Sequence, residues 1–331
     1  MFLRVFASAP GKITLFGEHA VVYGEPAITY TIDKRVHVHL KVRGDSTIKI
    51  EARGLQVGGA KLVISGEKIE AEVDAQSLME SLSYVHKALE IASEYCGESK
   101  GVEILVESEL PVGAGLGTSA AVSAATIAAF CRAMEKELSL EELARLAHRV
   151  EIEVQGSASP MDTMTVTYGG LLYIKPAERS FERLEWGSLP VVVGFTPRES
   201  NTGKLVAGVR RLVEREEDLI MEIIRTIGKL VDRAREALEE ENLEMVGSLM
   251  NVNHGLLEAL GVSTVKLNEM VYAARAAGAL GAKLTGAGGG GCMVALCPGR
   301  EEEVKASLRA VGGIPLECTF SSRGVEVRVV G

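Results

Sequence analysis

Residues 111–119 read Pro-Val-Gly-Ala-Gly-Leu-Gly-Thr-Ser, between an alternating apolar run at 102–108 and an alanine-rich run at 118–136. A strand, a glycine turn and a helix are expected in that order. Glycine accepts positive φ and carries no side chain, so Gly113, Gly115 and Gly117 allow several backbone N–H groups to converge on one anion. The helix opening at Thr118 adds unpaired N–H groups and the positive end of its dipole. A phosphate cradle and an ordinary strand-to-helix turn both satisfy these residues, so the rest of the chain must separate them.

A second glycine run, Gly286-Ala-Gly-Gly-Gly-Gly291, formally matches G-x-G-x-x-G. A dinucleotide fingerprint should open a helix and be followed about 20 residues later by an acidic residue. Here Cys292-Met-Val-Ala-Leu reads as a strand instead. The 111–119 segment opens a helix, but about 20 residues on stands Glu135, at a helix end rather than after a second strand. It also lacks the Gly-Lys-Ser/Thr of a Walker loop.

Composition bounds the remaining choices. The 331 residues suffice for two domains, and 47% hydrophobic with 24% charged residues is ordinary for a globular chain. A net charge of -9 argues against general nucleic-acid binding, which needs a basic face. Five cysteines without a Cys-x-x-Cys pair, and an N-terminus lacking a signal pattern, point to a reducing, cytoplasmic setting. The longest apolar stretch, Ala120 to Cys131, is too short to cross a bilayer.

Short strands are expected at 3–7, 27–32, 36–42 and 48–52, then a helix at 76–95, a strand at 102–108 and helices at 118–136 and 139–154. Ser139 and Glu142 form a capping box for the last of these. Beyond Gly169-Gly170 come strands at 171–174 and 191–195, and a helical tract at 202–277 with breaks near Glu241 and Gly261. The chain closes with strands at 281–284, 292–296, 314–320 and 324–330 and a helix at 300–310. An α+β protein of two domains follows, 1–180 and 181–331, linked through Pro176 and the polar run 177–183.

The run Pro10-Gly-Lys-Ile-Thr-Leu-Phe-Gly-Glu-His19 places a lysine, a glutamate and a histidine among turn and apolar residues. Strand alternation sets Lys12, Thr14 and Phe16 on one face. Alone, Lys12 could equally be a snorkelling surface lysine.

Taken together, 10–19, 111–121 and Lys283-Leu-Thr-Gly-Ala-Gly-Gly-Gly-Gly-Cys292 resemble the three motifs of the GHMP small-molecule kinases, in order and spacing, over essentially the whole chain. Within the family, 17–24, 201–210 and 253–262 are most similar to the branch that phosphorylates mevalonate. The resemblance implies a ribosomal-protein-S5-like N-terminal domain and a ferredoxin-like C-terminal domain. It implies ATP bound by Pro111, Gly113, Ala114, Gly115, Leu116, Gly117, Thr118, Ser119 and Ala120. Ser119 and Glu151 match the Mg2+ ligands, both of the hard-oxygen type that this cation takes.

By the same resemblance Asp162 is the catalytic aspartate and Lys12 its partner. Glu18, His19, Thr202, Gly286 and Ala287 fall on the substrate side with them. Family members often carry Gly two residues before this aspartate. Here it is Pro160, whose fixed φ suits a helix start. The implied activity is ATP-dependent phosphorylation of the 5-hydroxyl of mevalonate by a cytoplasmic homodimer. Another small-molecule kinase of the family, for phosphomevalonate, homoserine or a sugar, and a non-catalytic ligand sensor are the alternatives.

Overall fold

The computed structural model describes residues 3–330 apart from 54–59, 66–67, 73–75, 112, 157 and 201. Met1, Phe2, Val112, Ser157 and Asn201, which belong to segments discussed above, therefore lie outside the described residues.

Up to residue 53 the strands are fewer and longer than expected. β1 (Arg4–Phe16) pairs antiparallel with β2 (Ala27–Val42), from Arg4 opposite Lys41 to Phe16 opposite Ile28. The runs 27–32 and 36–42 are thus one strand. β1 continues through Pro10-Gly11 because the register shifts between Pro10 and Lys12, where proline has no N–H to give the ladder.

β3 (Ile48–Arg53), β4 (Ala60–Ser65) and β5 (Lys68–Glu72) follow, and then α1 (Gln76–Cys96) and β6 (Val102–Ser108). α2 (Thr118–Ala133), α3 (Leu140–Gln155) and α4 (Met161–Tyr168) precede β7 (Leu171–Lys175) and β8 (Ser180–Leu184). The first sheet runs β6-β3-β4-β5 on one side of β2 and β1 on the other, while β7 pairs with both β2 and β8. The 177–183 run expected as a link therefore carries an edge strand. Among the described residues only β3 and β6 pair parallel.

α2 is buried almost all round, against α1, α3, β1 and β2. Its alanines at 120, 121, 124, 125, 128, 129 and 133 are buried and let these neighbours approach closely. A leucine at Ala125 would overpack this layer at a cost of about 1–3 kcal/mol. α3 has the expected capping box: Ser139 accepts from the Glu142 N–H, and the Glu142 side chain reaches back to the Ser139 N–H.

The second sheet contains β9 (Val191–Thr196), β10 (Gly281–Thr285), β11 (Gly291–Leu296) and β12 (Ile314–Leu316). Its spatial order, β10-β11-β9-β12, is antiparallel throughout, as expected for a ferredoxin-like unit. Between β9 and β10 lie α5 (Thr202–Arg215), α6 (Glu217–Glu239), α7 (Leu243–Ala259) and α8 (Val265–Ala276). α9 (Glu301–Ala310) connects β11 to β12.

The strand expected at 314–320 stops at Leu316. From there the chain crosses to the first sheet, where Thr319 bonds the Asp33 carboxylate at 2.9 and 3.0 Å and Phe320 bridges Ile32. β13 (Glu326–Val329) then joins the edge of β1. Arg35, 8% exposed, holds this return by donating to the carbonyls of Ser8 and Gly324 at 3.0 and 2.7 Å. Among the described residues no helix is long and apolar enough to cross a membrane.

Candidate active site

The three motifs meet where β1, the start of α2, the start of α4 and the β10–β11 connection converge. At the β1 bulge the Lys12 N–H donates to the Leu116 carbonyl at 2.8 Å, which ties the strand to the 113–117 loop. The Lys12 ammonium lies 2.9 Å from Asp162 and donates to Thr14 at 3.1 Å. Lys12 is 2% exposed at its side chain and Asp162 28%, so the pair meets solvent on the aspartate's side.

α4 is anchored so as to aim Asp162. Pro160 is its N-cap with φ -73°, and Asp162 lies in the first turn, so the proline is compatible with a helix start here. His148 of α3 bonds the Ala158 carbonyl at 2.9 Å, and Thr165 meets Thr29 of β2 at 2.7 Å. These contacts hold the loop before α4 and the helix itself.

In the 113–117 loop Ala114 and Leu116 are each 1% exposed, while Gly113 and Gly115 are half-buried. Gly117 adopts φ 73°, and a Cβ there would stand 2.8 Å from Cγ of Lys12. The first intrahelical bond of α2 is Ala121 N–H to Gly117, so the N–H groups of Thr118, Ser119 and Ala120 belong to the helix's unpaired first turn. An anion seated at the loop would find these donors and the helix dipole together.

Ser119 donates to Glu151 at 2.7 Å. Burial first, and the neighbouring Asp162 charge second, push the Glu151 carboxyl up to about 7. Among the described residues no group of three or more His, Cys, Asp or Glu is placed to hold a metal. The Ser119 and Glu151 oxygens fit a hard cation that takes its other ligands from phosphate and water.

The 286–291 run closes the site from the second sheet. A Cβ on Gly286 would lie 2.9 Å from the Gly115 carbonyl oxygen, and one on Gly291 2.9 Å from that of Ala114. The two glycine loops therefore touch backbone to backbone. Thr285 Oγ1 accepts from the Thr14 N–H at 2.9 Å and donates to the Thr14 carbonyl at 3.0 Å, sewing β10 to β1. His19 bonds the Ala287 carbonyl at 2.9 Å, and burial pushes its ring toward the neutral form. Thr202 accepts from Arg198 at 2.8 Å.

Glu18 lies deeper than the others. One oxygen pairs with Lys283 and the other accepts from Asn253 at 3.3 Å. Sequence reasoning missed Arg198 and Lys283. Arg198 lies within reach of Cβ positions on both Gly115 and Gly291, near the Asp162 charge, and its Nε is buried without a partner among the described residues. Its only local signal is a basic residue in the Pro197-Arg-Glu-Ser turn before α5, and nothing there tells that the turn packs on both glycine loops.

The chain matches known proteins along nearly its whole length. The GHMP kinases N-terminal domain matches residues 83–170 and the GHMP kinases C-terminal domain residues 234–314. A mevalonate kinase of Pyrococcus abyssi is 49% identical over 98% of both chains. The crystal structure of the Methanococcus jannaschii mevalonate kinase superposes with a TM-score of 0.80 at 32% identity, covering 96% of this chain and 98% of that one. The L. major mevalonate kinase in complex with R-mevalonate gives 0.80 at 25% identity over 96% of each chain. With its three motifs brought into contact and its relatives matched end to end, the chain belongs to the GHMP kinase family.

Proposed function

We propose that the chain transfers the γ-phosphoryl group of ATP to the 5-hydroxyl of mevalonate, giving 5-phosphomevalonate and ADP. The observation that carries the chemistry is the Lys12–Asp162 pair, 2.9 Å apart, beside the glycine loops. The substrate is supported by the 49% identity to a mevalonate kinase over the whole chain.

The 113–117 loop and the first turn of α2 would hold the triphosphate, with Ser119 and Glu151 holding Mg2+. Held there, the cation would supply positive charge to offset that of the phosphates. Asp162 orients the attacking hydroxyl and accepts its proton on a carboxylate oxygen. In a loose transition state that proton leaves late, so a strong base is not required. The new P–O bond forms to the 5-oxygen as the bond to the β,γ-bridging oxygen breaks, and ADP leaves. Lys12 and Arg198 flank Asp162 and stabilise the charge on the moving phosphoryl group. His19, Thr202 and the Ala287 turn form the acceptor wall.

A coupled assay of ADP release with mevalonate, 5-phosphomevalonate, homoserine and galactose tests the assignment. Release confined to mevalonate is expected. Release with another acceptor would reassign the substrate, and release with none would leave only a ligand sensor.

A further inference from the structure

Glu18 and Lys283 form the most deeply buried ion pair among the described residues, with side chains 1% and 0% exposed. Burying two charges costs desolvation that their attraction roughly repays, so such a pair is a poor device for stability and a better one for fixing a geometry. Glu18 has a geometry to fix. It stands between Gly17, at φ 97°, and His19, a non-glycine residue at φ 61°. A Cβ on Gly17 would lie 2.6 Å from the Pro26 carbonyl oxygen, so the turn is also pressed against β2.

The pair joins the two halves of the molecule. Glu18 follows β1, Lys283 lies in β10 and Asn253 in α7, and the Lys283 ammonium also donates to the Leu284 carbonyl at 2.6 Å. Two further ties run parallel to it, Thr14 with Thr285 and His19 with Ala287. The Thr14 and Glu18 ties are both buried, and of the three only the Glu18–Lys283 tie is an ion pair, set in the turn that carries His19.

We infer that Lys283 is a positioning residue for the acceptor: it locks Glu18, and through Glu18 it holds His19 against Ala287 on the acceptor wall. The ATP loop does not depend on this tie, because Lys12 and Leu116 fix it from the other side. The inference rests on the function proposed above. Wild-type turnover with mevalonate is therefore measured first, and its absence would reject that function before any variant is compared.

The test uses the full chain with Lys283→Met, Glu18→Gln/Lys283→Met, His19→Ala and His19→Ala/Lys283→Met. Lys283→Met should raise the acceptor KM by about 10-fold to 100-fold, the scale of a sub-ångström to ångström misplacement, with the ATP KM within about twofold of wild type. The charge-free Glu18→Gln/Lys283→Met variant should melt within about 5 °C of wild type and show the same KM split. It carries the test if the single variant fails to fold. In the His19→Ala background, adding Lys283→Met should change the acceptor KM by less than about twofold, because both act through one contact. A folded double variant with the wild-type acceptor KM, an equal rise in both KM values, or additive effects with His19→Ala would overturn the inference.

Discussion

The contact between the two glycine loops can be tested by one methyl group. At Gly286 a Cβ would stand 2.9 Å from the Gly115 carbonyl oxygen and 3.4 Å from its Cα, and both are backbone atoms that no rotamer change can move. Bringing 2.9 Å to the ordinary 3.4 Å parts the loops by about half an ångström. Gly286 also adopts φ 78°, where alanine costs about 1–2 kcal/mol, partly offset by about 0.4–1 kcal/mol from a less flexible unfolded chain. Gly261 is the control: its φ is 73°, yet its added Cβ meets nothing within 4 Å. Gly261→Ala should therefore lose roughly 1 kcal/mol of stability, about 2 °C in Tm, and keep wild-type kinetics. Gly286→Ala should in addition lose about 10-fold to 100-fold in kcat/KM, or about 1.4–2.7 kcal/mol at the transition state. Steady-state kinetics and thermal melts of the two variants decide it. Equal kinetics at Gly286→Ala and Gly261→Ala would refute the claim that the loop contact shapes the site.

Further outcomes follow from the same geometry. Asp162→Asn should lower kcat by about 10²-fold to 10⁴-fold with little change in the KM for ATP, and near wild-type turnover would remove Asp162 from the chemistry. Gly115→Val would need a Cβ 2.9 Å from the Arg198 guanidinium at φ 77°, so nucleotide affinity should fall, and a folded variant binding ATP normally would count against the cradle. Glu151 has a folded pKa of about 7 against 4.5 for the free side chain, so between those values the native state keeps a proton the unfolded chain has lost. Its stabilisation is therefore full below about 4.5 and lost as pH rises to about 7, by an amount on the order of 3 kcal/mol. Without nucleotide and Mg2+, Glu151→Gln should gain Tm relative to wild type between pH 5 and 7.5. A pH-independent difference would show that Glu151 ionises normally.

Much of this site was legible because its signals are local. The capping box at Ser139, the strand at 102–108 and the glycine loop opening α2 each occupy a few consecutive residues whose chemistry has one structural use. Lys12 and Asp162 lie 150 positions apart, and family resemblance alone joined them before the coordinates did. What escaped is non-local. β4 and β5 lie in a stretch that the strand reading left unassigned, and β13 finds its partner at the opposite end of the chain. Arg198 and Lys283 are ordinary basic residues in their own segments. They acquire meaning only when β10 docks on β1 and the turn before α5 packs on both glycine loops.

The proposed reaction is a single phosphoryl transfer to one hydroxyl at the Lys12–Asp162 pair. It is met most directly by identifying the product formed from ATP and mevalonate by ³¹P NMR and mass spectrometry, with ADP counted in parallel. One ADP for each molecule phosphorylated on the 5-oxygen is predicted, with the yield collapsing in Asp162→Asn. Phosphate on another oxygen, or ADP released equally without mevalonate, would contradict it.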